Sequence, residues 1–504
     1  MLFSREILDL ESVVHGEVQN SGTRLAAIAT IPLFLVLVLP VFTLVFPVEI
    51  SWAGVTLYDW HRVAVVATLA VSGLLILGRR QPMFIPSGSL VSIGGMVVLG
   101  GGSLLLNNVP FWGGAREVAM LLQCYISVIV IGSAFAQLAS DEQQRITLLC
   151  LAGSALIYLA VFITSNEPRF TVPELMGIPP QFPAFSNIRF FTDYQALVMP
   201  FTVMAVATYC RHVVARIFGW SGIFMFWMLF YYSGSRALVL GQIVAHAMLW
   251  LLLGRSYART LRFHLVAWVG GYFTFLFFSQ TLPWLLSSHG AETEQLMRGT
   301  ISDRLLLWMG AWQDFLSHPL LGIGPGEFAR QHIGGSAAPH NSLLMIAAEW
   351  GLPALVLWLW SLGAILWPGL QSLRVRYWDR IRAKDFSIAS WLAVLALLAH
   401  SLVANVLVIP TSQLSLVVAI GLVMGDIKRH DGLPPLVTNY GLKAAIILVS
   451  GLLMLILFRD FQKLPQQNAA YVACPYPTSN FSPRFWQQGW LGMLPCGESK
   501  TGFR

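Results

Sequence analysis

Apolar runs separated by short polar connections fill the chain from Leu25 to Phe458. About 20 apolar residues cross the hydrocarbon core of a bilayer as a helix. Windows of that kind recur near 26–46, 62–78, 88–106, 117–136, 146–164, 195–210, 217–232, 237–254, 265–285, 342–366, 387–409, 413–427 and 441–458. The pattern predicts an all-α polytopic membrane protein of about 12–13 transmembrane helices. Two connections are long, about 165–194 and 286–341. In the second, apolar residues recur at Leu305, Trp308, Met309, Trp312, Phe315 and Leu316, spacings of three and four that predict an amphipathic helix at the membrane interface, capped by Ser302 or Asp303.

Charge gives the spans an orientation. Arg79-Arg80, Arg145, Arg211 with Arg216, the trio Arg255, Arg259 and Arg262, the cluster from Arg374 to Lys384, and Lys428-Arg429 all fall in alternate loops. The positive-inside rule makes that side cytoplasmic. The first 24 residues lack the apolar core of a cleavable signal and are expected to stay cytoplasmic. Residues 25–458 then form one membrane domain, with the loop 286–341 outside and a tail, 459–504, ending on the same outer side. A mean hydropathy of +0.67, with 56% hydrophobic and 11% charged residues, agrees with a membrane class. The net charge of +7 is scattered through short loops rather than gathered in a stripe, which argues against nucleic-acid binding. Cys124, Cys150 and Cys210 fall in predicted spans as packing residues, whereas Cys474 and Cys496 lie in the tail, where an outside compartment favours a disulfide between them.

Ionisable residues at the outer ends of spans are the candidates for chemistry, because a charge in the bilayer is costly unless used. Arg236 lies in Tyr232-Ser233-Gly234-Ser235-Arg236, a tight turn that offers backbone N–H groups, the Ser235 hydroxyl and a guanidinium to a phosphate. Arg304 lies in the first turn of the amphipathic helix, where helix dipole and guanidinium add toward an anion. His340, in Pro339-His340-Asn341-Ser342, is expected at the head of the next span with Asn341 or Ser342 as cap, and an imidazole titrating near 6.5 can accept a hydroxyl proton. Glu349, about two turns deeper, is read as orienting a polar partner or a water. Arg189 and Tyr194, in the polar run that enters the span near 195, are candidates for sugar or phosphate binding. His318-Pro319-Leu320-Leu321-Gly322-Ile323-Gly324-Pro325-Gly326 reads as a helix stop and glycine-rich bend without a nucleotide-binding pattern. No histidine pair has metal-ligand spacing, so neither a metal nor another cofactor is expected.

The Ser-Gly-Ser-Arg turn, the Arg304-x-x-x-Trp308 helix running into His318–Gly324, and Pro339-His340-Asn341-Ser342-Leu343 with Glu349-Trp350-Gly351 together resemble the O-antigen ligase superfamily over about residues 185–430. That group includes bacterial O-oligosaccharyltransferases that glycosylate type IV pilin, and the Glu-Trp-Gly and short tail are closer to a pilin-type ligase. The resemblance implies an inner-membrane enzyme with its active site facing the periplasm. Its donor would be a glycan on undecaprenyl diphosphate and its acceptor a hydroxyl, on a pilin-like protein or alternatively on lipid A-core or a growing glycan. It also implies that Arg236 and Arg304 hold the diphosphate and that His340 is the base. A lipid-glycan flippase is the competing class, but transporters place ionisable groups near the bilayer midplane, and here they gather at span ends.

Overall fold

The computed structural model describes residues 31–45, 54–77, 83, 87–107, 109–138, 141–172, 180–287, 302–330, 336–378, 384–431, 440–473 and 484–486. The first 24 residues, Cys474 and Cys496 lie outside them. Among the described residues the regular elements are helical. In chain order they are α1 (Ile31–Val45), α2 (Leu57–Leu77), α3 (Ser87–Leu106), α4 (Phe111–Ala136), α5 (Asp141–Thr171), α6 (Ile188–Tyr209), α7 (Val213–Ser233), α8 (Arg236–Leu253), α9 (Ala258–Leu276), α10 (Leu282–Ser287), α11 (Ser302–Ser317), α12 (Ser342–Trp378), α13 (Lys384–Ser401), α14 (Pro410–Asp431), α15 (Tyr440–Phe461) and α16 (Leu464–Val472). Ten helical stretches are long and apolar enough to cross a membrane. One of them, Arg236–Leu286, contains both α8 and α9, and the shorter apolar helices α1 and α13 add two more. The chain is therefore a multi-pass membrane protein of the expected all-α class.

The bundle is organised around α14, whose apolar window is wholly buried. It lies against α4 at glycine contacts: a Cβ on Gly425 would come within 2.6 Å of the Gly132 carbonyl oxygen. Small residues that let backbones approach are the usual means by which helices associate in lipid, where no hydrophobic force separates helix from solvent. Gly241 of α8 does the same against α13, with the Ala396 carbonyl oxygen 2.6 Å from where a Cβ would stand. Residues such as Phe273, Leu251 and Val269 remain exposed, as side chains facing lipid do.

Three departures from the hydropathy reading shape the end of the bundle that carries the candidate residues. The expected span 387–409 stops at Ser401, and residues 402–409 run to Pro410 as turns and bends, although their composition is as apolar as a helix. The residue before a proline is disfavoured in helix, and that break creates an ordered loop at one end of the bundle. Helix α6 begins at Ile188, earlier than expected, so Arg189 and Tyr194 are helical. Within α12, Gly351 has φ 82 and ψ 172, a break that the span pattern does not show.

That break has a clear cause. The loop after α11 docks into it: Ile323 N–H donates to the Ala348 carbonyl at 2.8 Å, Gly324 N–H to the Glu349 carbonyl at 3.0 Å, and Leu352 N–H to the Pro319 carbonyl at 2.8 Å. A Cβ on Gly322 would stand 2.2 Å from the Glu349 carbonyl carbon, and one on Gly351 2.3 Å from the Leu320 carbonyl oxygen. Gly322 and Gly351 are thus the contact between two backbones. Helix α11 reaches the same place, burying Leu307 and Ala311 against Phe328 and Ala348, while Leu305, Met309, Trp312 and Leu316 form an exposed apolar stripe. This is the amphipathic helix anticipated from the spacing.

Candidate active site

Three arginines occupy the first turns of three helices. Asn187 caps α6, its Oδ1 accepting from Arg189 N–H at 2.9 Å, so Arg189 is the second helical residue. Gly234, at φ 59, ends α7 in the left-handed region, and Ser235 then caps α8 through a bond from Leu238 N–H to its Oγ at 3.3 Å. Arg236 is the first residue of α8, and Arg304 the third of α11. Each guanidinium is therefore paired with the positive end of a helix dipole. Thr192 Oγ1 reaches Ser235 Oγ at 3.5 Å, which brings the heads of α6 and α8 together.

These charges are close enough to act on one another. Burial, then Arg189 and Arg236, lower the pKa of Arg304. Arg189 and Arg236 are exposed and Arg304 is partly buried. Among the described residues none of the three is paired with a carboxylate. Positive charge gathered without counter-charge at helix N-termini is the arrangement that binds a polyanion.

His340 joins the same cluster. Burial, followed by the charges of Arg304 and Arg189, pushes its imidazole down to about 4, so the ring is neutral at physiological pH. Its backbone is held at φ 53, a left-handed conformation that costs a non-glycine residue about 1–2 kcal/mol. Asn341 Oδ1 caps α12 by accepting from Leu344 N–H at 3.0 Å. Asn405, in the loop after α13, accepts from His340 N–H at 2.8 Å and places its Nδ2 3.4 Å from the ring Nε2. Ser336 Oγ lies 3.3 Å from the same Nε2 and donates its own proton to the Ala338 carbonyl at 2.9 Å. Ser336 then acts only as an acceptor toward the ring, whereas Asn405 Nδ2 acts only as a donor. Either tautomer finds a partner at Nε2.

Arg189, Ser235, Arg236, Arg304, His340 and Asn341 thus gather at one end of the bundle. Tyr194 does not join them: it is fully buried, with its hydroxyl 2.9 Å from Ser154 Oγ and its ring among Tyr158, Phe185, Phe191 and Phe226. Glu349 is also fully buried, and its Oε2 accepts from Gly326 N–H at 2.9 Å and from Arg484 Nη2 at 2.6 Å. Its structural role is to fasten the docked loop and the tail.

Asn405, Ser336 and Arg484 are absent from the sequence-derived set. Asn405 lies in what reads as one apolar span, and only Pro410 hints that the helix must already have ended. His246 is a packed histidine whose ring nitrogen lies 2.7 Å from the Tyr257 hydroxyl, whereas His400 is buried with Nδ1 2.9 Å from Asp193 Oδ1, and Ser412 Oγ donates to the other oxygen of that carboxylate at 2.6 Å. Among the described residues no group of three His, Cys, Asp or Glu is arranged to hold a metal ion.

Residues 221–359 match the family model of the O-antigen ligases. The matched stretch contains Ser235, Arg236, Arg304, His340, Asn341 and Glu349, and leaves Arg189, Asn405 and Arg484 outside it. No match is found among curated proteins. The family match supports the resemblance to the O-antigen ligase superfamily and, in general terms, a membrane enzyme that transfers lipid-linked glycan.

Proposed function

We propose that this chain transfers a glycan from undecaprenyl diphosphate to a hydroxyl group of a periplasmic acceptor protein, a pilin-like one, by a metal-independent inverting displacement. One observation carries the reading: three arginines, none paired with a carboxylate among the described residues and each in the first turn of a helix, share one end of the bundle with a neutral imidazole. A diphosphate on a polyprenyl chain fits that end, with its anion among the guanidiniums and its hydrocarbon beside the exposed apolar stripe of α11. The basic loops lie at the opposite helix ends, which supports a periplasmic site in the inner membrane.

In the proposed step the bond between the anomeric carbon and the diphosphate oxygen breaks as the acceptor oxygen bonds to the same carbon from the opposite face. The electron pair leaves on the diphosphate, and Arg236, Arg304 and Arg189 stabilise the charge that develops there. The acceptor proton passes to the neutral ring of His340. A low pKa makes a weak base in the free protein, and the bound diphosphate corrects this by offsetting the arginine charges that disfavour imidazolium. Donor binding thereby activates the base.

The acceptor is the part that experiment must decide, since the Glu349-Trp350-Gly351 likeness that suggests pilin serves a docking contact in this fold. Purified protein is supplied with lipid-linked glycan and either pilin or lipid A-core, and products are read by mass spectrometry. Glycosylated pilin is expected. Transfer confined to lipid A-core reassigns the acceptor, and transfer to neither, with demonstrably intact donor, defeats the ligase reading.

A further inference from the structure

The geometry points to Arg484, in the C-terminal tail, as a positioning residue that frames the His340 loop from behind the active site. In the sequence only the two cysteines single out this tail, yet Arg484 is 1% exposed and Trp486 0%. Arg484 Nε donates to Glu117 Oε1 at 2.9 Å, Nη2 to Glu349 Oε2 at 2.6 Å, and Nη1 to the Ala337 carbonyl at 3.3 Å. Ala337 lies between Ser336, which touches the His340 ring, and His340 itself. One guanidinium therefore ties α4, α12 and the loop that carries the base.

The tail's backbone extends the frame to the second loop that holds His340. The Arg484 carbonyl accepts from Arg62 Nη2 at 3.2 Å, and the same Nη2 donates to the Val408 carbonyl at 2.6 Å, in the loop that carries Asn405. Arg62 Nε donates to the Phe485 carbonyl at 2.9 Å, with its guanidinium 4.9 Å from the Phe485 ring. Trp486 Nε1 anchors the segment to Asp460 at 3.2 Å, and Arg116 pairs with the same carboxylate at 3.2 Å. Both loops that set the backbone and ring of His340 are thus fixed to one three-residue stretch of tail. The planar fork of arginine is required, because a lysine ammonium cannot reach two carboxylates and a carbonyl at fixed angles.

This inference rests on His340 being the base, and its test has a readout independent of transfer. Two full-length variants are compared with the parent: Arg484→Lys, and the triple variant Arg484→Met, Glu117→Gln, Glu349→Gln, which removes the guanidinium together with both carboxylates it contacts. The triple variant leaves neither Glu117 nor Glu349 as a carboxylate facing a lost guanidinium, so a role limited to pairing with those two groups predicts parent-like behaviour. Thermal unfolding selects the variants that fold, and if the triple variant does not fold, Arg484→Lys alone decides. The readouts are the titration of the His340 imidazole by nitrogen NMR, assigned by its loss in His340→Gln, and kcat against donor affinity. The expected result is a His340 titration displaced toward that of a free histidine, with kcat reduced at least tenfold and donor affinity within about twofold of the parent. Folded variants in which both the titration and kcat match the parent overturn the assignment. A displaced titration in protein that transfers no glycan even as the parent upholds the framing and overturns the transferase reading instead.

Discussion

The titration of His340 follows from the charge distribution around it. Burial is the largest cause of its depression from 6.5 to about 4, with Arg304 next and Arg189 third. Relative to a free histidine, the protonated ring is disfavoured by about 3 kcal/mol. Replacing Arg304 by Gln removes the larger of the two charge contributions and leaves burial in place, so the pKa should rise but stay below 6.5. Arg189→Gln should raise it by less. The assay is glycan transfer between pH 3.5 and 8 at limiting and saturating donor, alongside thermal unfolding at each pH. At limiting donor the acid limb of kcat/KM reports the free protein and is expected near 4. At saturating donor the limb of kcat should lie higher, because the diphosphate offsets the arginines. The stability control is needed because the unfolded chain binds a proton at this histidine between about pH 4 and 6.5 and the folded one does not. Stability therefore falls as pH drops through that window. A parent kcat/KM limb at or above 6.5 refutes the reasoning, as does a limb that Arg304→Gln leaves unmoved or lowers.

Other expectations follow from individual contacts. Asn405→Asp keeps the acceptor for His340 N–H but sets a carboxylate beside Nε2, so the acid limb of transfer should move up, while Asn405→Ala should lose at least tenfold in kcat; equal behaviour of the two would show that the side chain does not address the ring. Gly351→Ala meets both a positive φ and a backbone oxygen at 2.3 Å and is expected to cost about 2–6 kcal/mol in thermal or denaturant unfolding, summing strain and overpacking. Gly363→Ala, on the same helix with nothing within 4 Å, is the control and should be neutral or stabilising by up to about 1 kcal/mol. Tyr194→Phe removes one hydrogen bond to Ser154, about 1 kcal/mol of stability, and should leave transfer within about twofold.

Much of this molecule is legible from hydropathy, because a membrane helix must satisfy its own backbone and so writes itself as a long apolar run. Arg236 and Arg304 are equally legible, since a turn or a cap places an arginine in the first turn of a helix whatever the rest of the chain does. Asn405 is hidden because the loop that bears it is as apolar as the helix before it, and α13 ends at Ser401, well short of the Pro410 that marks the break in the sequence. Glu349 is visible as a costly carboxylate, but its partner stands 135 residues later in a polar tail. The glycines of the His318–Gly326 stretch are visible as a bend, while their purpose, contact with a break in α12, appears only when both backbones are seen together.

In the proposed reaction the arginine-lined end holds the diphosphate while His340 takes the acceptor proton. It is tested most directly by comparing parent and His340→Ala protein in one experiment that measures both donor binding and release of undecaprenyl diphosphate in the presence of acceptor. The parent is expected to release undecaprenyl diphosphate in step with acceptor glycosylation, and the variant to bind the donor nearly as tightly but release none. Undiminished turnover by His340→Ala would contradict it.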